Sequence, residues 1–178
     1  MTPRLPPVDP DRLTADQQRV YQTIAGSRGR VAGPFAALLV SPELADRVQH
    51  LGAFIRYGSS LAPNLTELAI LVIARAVNSP FEWTAHEPHA LRAGVTPAVV
   101  EAVRAGNRPD GMAADAAAVH DYTRELLQHG DVVDATYDAA RDALGDVGVV
   151  ELTVLIGYYE LLARTLRAHH LEPVVEVS

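Results

Sequence analysis

Glu82, His86 and His89 stand at i, i+4 and i+7 within the stretch 64–94, NLTELAILVIARAVNSPFEWTAHEPHALRAG, so on an unbroken helix all three project from one face. Histidine titrates near neutrality, and a carboxylate beside it fixes its tautomer and raises its basicity. That equips the pair for general acid and base catalysis. Two histidines and an acid also suit a divalent cation. Against a metal stand the absence of the H-E-x-x-H spacing and the presence of Pro88, which predicts a kink or short break turning His89 out of line with His86. The acids have a plainer role as well. Glu82 lies three residues after Ser79 and Glu67 three after Asn64, the spacing of a capping box, in which the acid only completes a helix start. A lone histidine on an apolar helix is more often a hydrogen-bonded packing residue. The combination weighs more than its parts, because two acids and a histidine fall on consecutive apolar helices.

Arg56 and Arg75 lie on apolar-rich segments, where an unpaired guanidinium is costly, so each is a candidate for holding a substrate carboxylate. An internal ion pair explains either one equally well. Trp83, Phe81, Tyr57, Tyr158 and Tyr159 are candidates to line an aromatic pocket, although core packing is the commoner fate. The G-x-x-x-G of residues 29–33 has no strand before it and no Lys-Ser/Thr after it, and carries no phosphate-loop signal. His169 and His170 end the last predicted helix, where positive charge complements the dipole.

The elements that must position these groups are helical. With 178 residues, 48% hydrophobic and 21% charged, the chain reads as one soluble globular domain, 1–178, with enough length for a real core. A net charge of −7 and the lack of any Lys/Arg run argue against nucleic acid or an anionic membrane as partner. Zero cysteines exclude disulfides, thiolate metal sites and sulfur redox chemistry. No stretch reaches the roughly 18 uncharged apolar residues of a membrane span, and no apolar leader is visible, so a cytoplasmic protein is expected.

Residues 1–13 are proline-rich without apolar periodicity and read as an extended arm, laid along the surface or against a partner subunit. Thr14 and Gln17 form a capping-box pattern opening a helix that Gly26 could close, and 29–40 reads as a loop with an apolar end. Ser41-Pro42-Glu43 starts a helix toward Gly58, and Asn64 starts one that is apolar nearly all round and therefore buried. Ser79-Pro80 opens the helix of His86, which Gly94 ends. Further helices are predicted from Thr96-Pro97 to Gly106 and over 113–128, 132–144 and 147–169, while 174–178 could be extended. The fold class is all-α, with about eight helices. A weak echo links Glu67-Leu-Ala-Ile-Leu-Val-Ile to Glu151-Leu-Thr-Val-Leu-Ile-Gly; two similar hairpins or chance would produce it.

The run ELAILVIARAVNSPFEWTAHEPHALRAGVTPAVVEAV, with its Glu-Trp-x-x-His core and Ala-Gly-Val-Thr-Pro turn, resembles the carboxymuconolactone decarboxylase family, which shares its helical fold with alkylhydroperoxidase D. GPFAALLVSPELADRVQHLGAFIRYGSSL upstream and ELTVLIGYYELLARTLRAH downstream resemble the surrounding parts of longer members, so the likeness covers most of the chain. In the peroxidase branch a relay glutamate, a Cys-x-x-Cys pair and a histidine follow one another. Here they fall on Glu67, Ser79, Glu82 and His86, so both thiols are missing and a thiol peroxidase is excluded. The resemblance implies instead a lyase that works without a cofactor and without a metal, removing carbon dioxide from a carboxylated lactone. It casts His86 as proton donor or shuttle, Glu82 as its positioner, Glu67 as the end of the relay, and an arginine such as Arg56 or Arg75 as the group that orients the substrate; Trp83, His89 and Tyr57 are further candidate substrate contacts from their place in the sequence. The Tyr-x-Gly-x-Pro-Ala-Ala segment of the aromatic-catabolism decarboxylases is replaced by Arg104-Ala-Gly-Asn-Arg-Pro-Asp-Gly, which leaves the substrate open. Family members assemble as dimers, trimers or hexamers, so a homo-oligomer is expected, with the arm and residues 33–40 as interface elements. Two alternatives stay open: a metal-dependent hydrolase or lyase using His86, His89 and Glu82, and a catalytically silent oligomerisation or ligand-binding module.

Overall fold

The computed structural model describes residues 2–171, which form eight α-helices and no strand. Proline supplies much of the punctuation. The helices α2 (Pro34–Leu38), α3 (Pro42–Tyr57), α4 (Pro63–Ala76), α5 (Pro80–Ala93) and α6 (Pro97–Arg104) all begin on one. At that position the missing N–H forfeits no intrahelical bond and the fixed φ suits the first turn. The chain opens with a short 3₁₀ turn, Pro10–Arg12, and α1 (Ala15–Arg28), and closes with α7 (Ala114–His129) and α8 (Asp134–Ala168).

α4 is the axis of the molecule. Every residue from Leu65 through Ala74 is buried, as its all-round apolar sequence predicts. Leu65, Ala69, Ile70 and Ile73 join a core with Val20, Ile24, Ile55, Val119, Leu152 and Ile156. Leu68, Leu71, Val72 and Ala74 face a smaller core with Trp83, Val100 and Val103. Each buried Leu or Ile contributes roughly 2 kcal/mol relative to exposure, so α4 is held on both flanks and is a rigid base for any polar group it carries.

Several boundaries differ from the sequence expectation. α1 runs past Gly26 and ends on Gly29, which takes the left-handed conformation and returns its N–H to Ala25 O. The segment 29–40 is not all loop, since Pro34 nucleates α2 inside it. α5 runs through Pro88 without a break in its helical span. The helices predicted over 132–144 and 147–169 are present as the two segments of α8, parted at Gly145 as expected, where the backbone is non-helical. The arm folds onto its own chain: Arg4 N–H and Nη1 donate to His169 O and Ala168 O, both at 3.0 Å, at the end of α8. His170 Nδ1 lies 3.2 Å from Thr2 O, so this ring ties down the arm as well as standing at a helix end. The possible extended segment 174–178 lies outside the described residues.

Gly145 sits at φ 72° and ψ 171°, a region open to glycine alone, with no atom within 4 Å of where a Cβ would stand. Gly145→Ala is therefore expected to lower stability by about 1–3 kcal/mol through backbone strain alone. Urea unfolding checks the sign. A Gly→Ala change at an ordinary helical position would raise the midpoint instead.

Candidate active site

The register of α4 decides what Glu67 does. Pro63 starts the helix with Ala62 as N-cap, so Asn64 is already inside it and Glu67 lies beyond the first turn. The capping box expected of Asn64 and Glu67 does not form. The Glu67 carboxylate instead turns into the protein and accepts a 2.7 Å hydrogen bond from His86 Nδ1 on α5.

α5 begins as predicted, with Ser79 at N-cap, Pro80 at N1 and Glu82 three residues into the start, although Ser79 makes no side-chain cap bond. One turn later His86 points back into the protein. Glu67, Glu82 and His86 are 8%, 4% and 5% exposed, so all three are buried polar groups that need partners. Tyr159 of α8 supplies one, its hydroxyl lying 3.2 Å from His86 Nε2 with the rings edge to face at 5.2 Å. Glu82 Oε2 lies 3.6 Å from the same nitrogen.

These contacts fix the protonation pattern. A carboxylate only accepts, so Nδ1 carries the hydrogen toward Glu67 and the lone pair of neutral His86 is on Nε2. Burial lowers the His86 pKa below its ordinary 6.5; the hydrogen bond and charge of Glu67 oppose this, while Arg56 and His89 push the same way as burial. Burial raises Tyr159 well above 10, so its hydroxyl stays protonated and can donate to Nε2.

His86, Glu82, Tyr158 and Tyr159 open onto a cavity of about 170 Å³, closed in part by Phe35 and Phe81. Three guanidinium groups reach it: Arg28, Arg30 and Arg56. Arg28 lies over the Phe35 ring at 4.4 Å and Arg56 over the Tyr57 ring at 5.0 Å, and the buried Nε atoms of both have no hydrogen-bond partner. Burial pushes the Tyr158 hydroxyl up to about 12 against the pull of Arg28. Gly52 makes this corner possible. A Cβ there would meet Tyr158 Oη at 2.0 Å and Arg28 Nη2 at 3.0 Å, so only a residue without a side chain lets α1 and α8 bring these groups together. The site thus has carboxylates on its inner side and cations around its cavity.

Residues 42–125 match the model of the Carboxymuconolactone decarboxylase family. The likeness to that family rests on this region, a little under half of the chain. The whole fold resembles solved structures of low sequence identity. An alkylhydroperoxidase AhpD core from Ralstonia eutropha JMP134, an uncharacterized peroxidase-related protein, aligns with a TM-score of 0.78 and 17% identity over 96% of this chain and 92% of that one. A peroxidase-related protein from Silicibacter sp. TM1040 gives 0.74 and 17% over 96% and 91%. A variant of the debrominase Bmp8 in complex with 2,3,4-tribromopyrrole gives 0.73 and 14% over 96% and 91%. No curated protein matches the sequence significantly.

The structure brings Glu67, Glu82, His86 and Arg56 together, with Phe81, Tyr158 and Tyr159 on the cavity wall. It does not bring Arg75, Trp83 or Tyr57 there. Arg75 Nε donates to Arg104 O at 2.6 Å and the side chain lines a different cavity. Trp83 packs in the core shared with α6, its Nε1 donating to Glu87 at 3.0 Å under the Arg104 guanidinium. Tyr57 is 70% exposed, because it falls on the outer face at the end of α3. His89 is exposed one turn on from His86, ring to ring at 6.0 Å, and takes its polar contact from Arg92. Among the described residues no three His, Cys, Asp or Glu side chains are grouped as a metal site would need. Arg28 and Arg30 were not legible as site residues, since only the packing of α1 and of the turn after it shows where they reach.

A lowered His86 pKa makes a stability prediction. Because the folded protein resists protonating this ring, the unfolded chain binds more protons below its ordinary value of 6.5, and stability falls as pH drops through that value toward the folded pKa. Denaturant midpoints at pH 7.5 and 5.5 are expected to differ less for His86→Gln than for the wild type. An equal loss in both would mean that His86 is not the group resisting the proton.

Proposed function

We propose that this protein is a cofactor-independent enzyme that moves a proton on a small carboxylated substrate, a lactone or a related organic acid, and that decarboxylation is its reaction. The observation carrying the reading is His86 itself, a buried imidazole whose Nδ1 is held by Glu67 and whose Nε2 faces a cavity ringed by arginines. The cationic rim suits an anionic substrate, since Arg56 and Arg28 offer planar donors to a carboxylate. Electrons from the breaking C–COO⁻ bond pass to a conjugated carbonyl, carbon dioxide leaves, and the arginines offset the enolate charge. His86, first protonated at Nε2 from solvent, delivers that proton to carbon and returns to the neutral ring whose Nδ1–H is held by Glu67. A ring whose pKa is depressed is a readier donor once protonated. Glu67 holds the tautomer and offsets the transient imidazolium charge, and Glu82 positions Nε2 from the cavity side.

The likeness of residues 42–125 to the carboxymuconolactone decarboxylase family supports this class of reaction, and the absence of cysteine removes the dithiol route to peroxide reduction. The same reading includes a homo-oligomer, supported by apolar side chains left on the outer faces of α3 and α8, among them Leu44, Phe54, Val150 and Val154.

The test is turnover of carboxymuconolactone and a panel of related lactones and β-keto acids by wild type, His86→Ala and Arg56→Ala, with circular dichroism confirming folding. The expected result is turnover by the wild type, loss of at least about a hundredfold in kcat for folded His86→Ala, and a mainly raised KM for Arg56→Ala. A wild type inactive on the whole panel, or a folded His86→Ala with unchanged kcat, would overturn the reading and favour a ligand-binding module.

A further inference from the structure

A second cavity, of about 240 Å³, lies between α4, α6 and α7 and shares no lining residue with the one at His86. Glu67 and Arg75 are eight residues apart on α4, about 12 Å along its axis, so the two cavities are served by different turns of one helix. Arg75 enters this one from α4. Its Nε is committed to Arg104 O, which fixes the guanidinium and leaves the Nη groups over Gly106, with Nη2 only 3.6 Å from where a Cβ at that glycine would stand. From α7 come His120, Arg124 and Gln128, one turn apart on a single face.

The polar chemistry here is oriented. His120 is 3% exposed, and its Nδ1 lies 2.9 Å from Asp121 Oδ1, a carboxylate already gripped by Arg108 through Nε at 2.9 Å and Nη2 at 2.8 Å. Nδ1 therefore carries the hydrogen, and Nε2 is the ring atom left to interact with a ligand. Arg124 makes no hydrogen bond or ion pair among the described residues, and the cavity wall contains no Asp or Glu. Two guanidiniums and a buried histidine line this cavity, and the one carboxylate beside them, Asp121, is shared between His120 and Arg108 and is not part of the wall, in a chain whose net charge is −7. Val72 and Val103 provide an apolar wall opposite them.

We propose that this cavity is a binding site for a small organic carboxylate, its oxyanion held by Arg75 and Arg124 with His120 beneath and its apolar body against Val72 and Val103. Bidentate guanidinium contacts fit a planar carboxylate, and the apolar wall distinguishes an organic acid from inorganic phosphate. The site is independent of the reaction proposed for His86.

The experiment is calorimetric titration of the full chain with benzoate and, separately, with inorganic phosphate, for wild type, Arg124→Gln, Arg124→Lys and His86→Ala, with thermal melts confirming folding. The expected result is saturable benzoate binding to wild type and His86→Ala, weakened about tenfold or more in Arg124→Gln, partly restored in Arg124→Lys, and tighter than phosphate. The proposal is overturned by no benzoate binding up to on the order of 10 mM, by equal affinity in folded Arg124→Gln, or by phosphate binding as tightly as benzoate.

Discussion

The hydrogen bond from His86 to Glu67 is the constraint on which the site depends. Both groups are buried, and a carboxylate deprived of water is tolerated only when a donor meets it at short range. That bond joins the two helices of the central hairpin, α4 and α5, through their side chains, and so fixes the rotation of each about its axis. Once the ring is held at Nδ1, its other nitrogen has one direction left, toward α8 and the cavity. Tyr159 and Glu82 then both approach that nitrogen, the one able to donate to it and the other to accept from it once the ring is protonated. Removing either partner of the primary bond would leave the other as an uncompensated polar group in the core.

Electrostatics and packing are divided between helices. The acids come from α4 and α5, which are pinned by the two cores, while the arginines come from α1, the loop after it and α3, at the periphery of the same cavity. The buried imidazole of His86 is kept toward its neutral form, with causes that pull in both directions. Burial and Arg56 depress protonation, and Glu67 favours it.

Much of this was readable in the chain. The all-round apolar pattern of residues 65–76 announced a buried helix, and Glu82 with His86 at i and i+4 announced a shared face. Both follow from local periodicity. Glu67 was harder. Asn64 and Glu67 have the spacing of a cap, but Pro63 at the first helical position moves the start upstream, and that competition between two N-terminal signals is settled by which residue the chain lets into the helix first. Of the kink or short break expected at Pro88 the break does not occur, since the lost bond to Thr84 does not interrupt the span of a helix packed on α4. Arg28, Arg30 and the room left by Gly52 were not legible at all, because they depend on how α1 crosses α3 and α8, a long-range property that no spacing encodes. The echo of Glu67 in Glu151 illustrates the same limit: the first acid is buried against a histidine, the second accepts from Ser60 N and Oγ in a loop, at 2.7 and 2.6 Å.

The position of Glu82 shows how one helical frame can change its chemistry by a single group. It stands in the first turn of α5, where the unpaired N–H groups and the helix dipole favour an anion. The resemblance to the peroxidase branch puts a sulfur at that place, and a thiolate there would be stabilised by the same field and made reactive by it. A carboxylate has no accessible redox step, so what the dipole stabilises is only a fixed negative charge, 3.6 Å from His86 Nε2. The field that would favour an electron-pair donor to sulfur or oxygen becomes one that holds and orients a proton carrier. The same neighbours, a glutamate on one helix and a histidine on the next, thereby suit the proton transfer proposed above, with the arginines of the cavity placed to meet an anionic substrate.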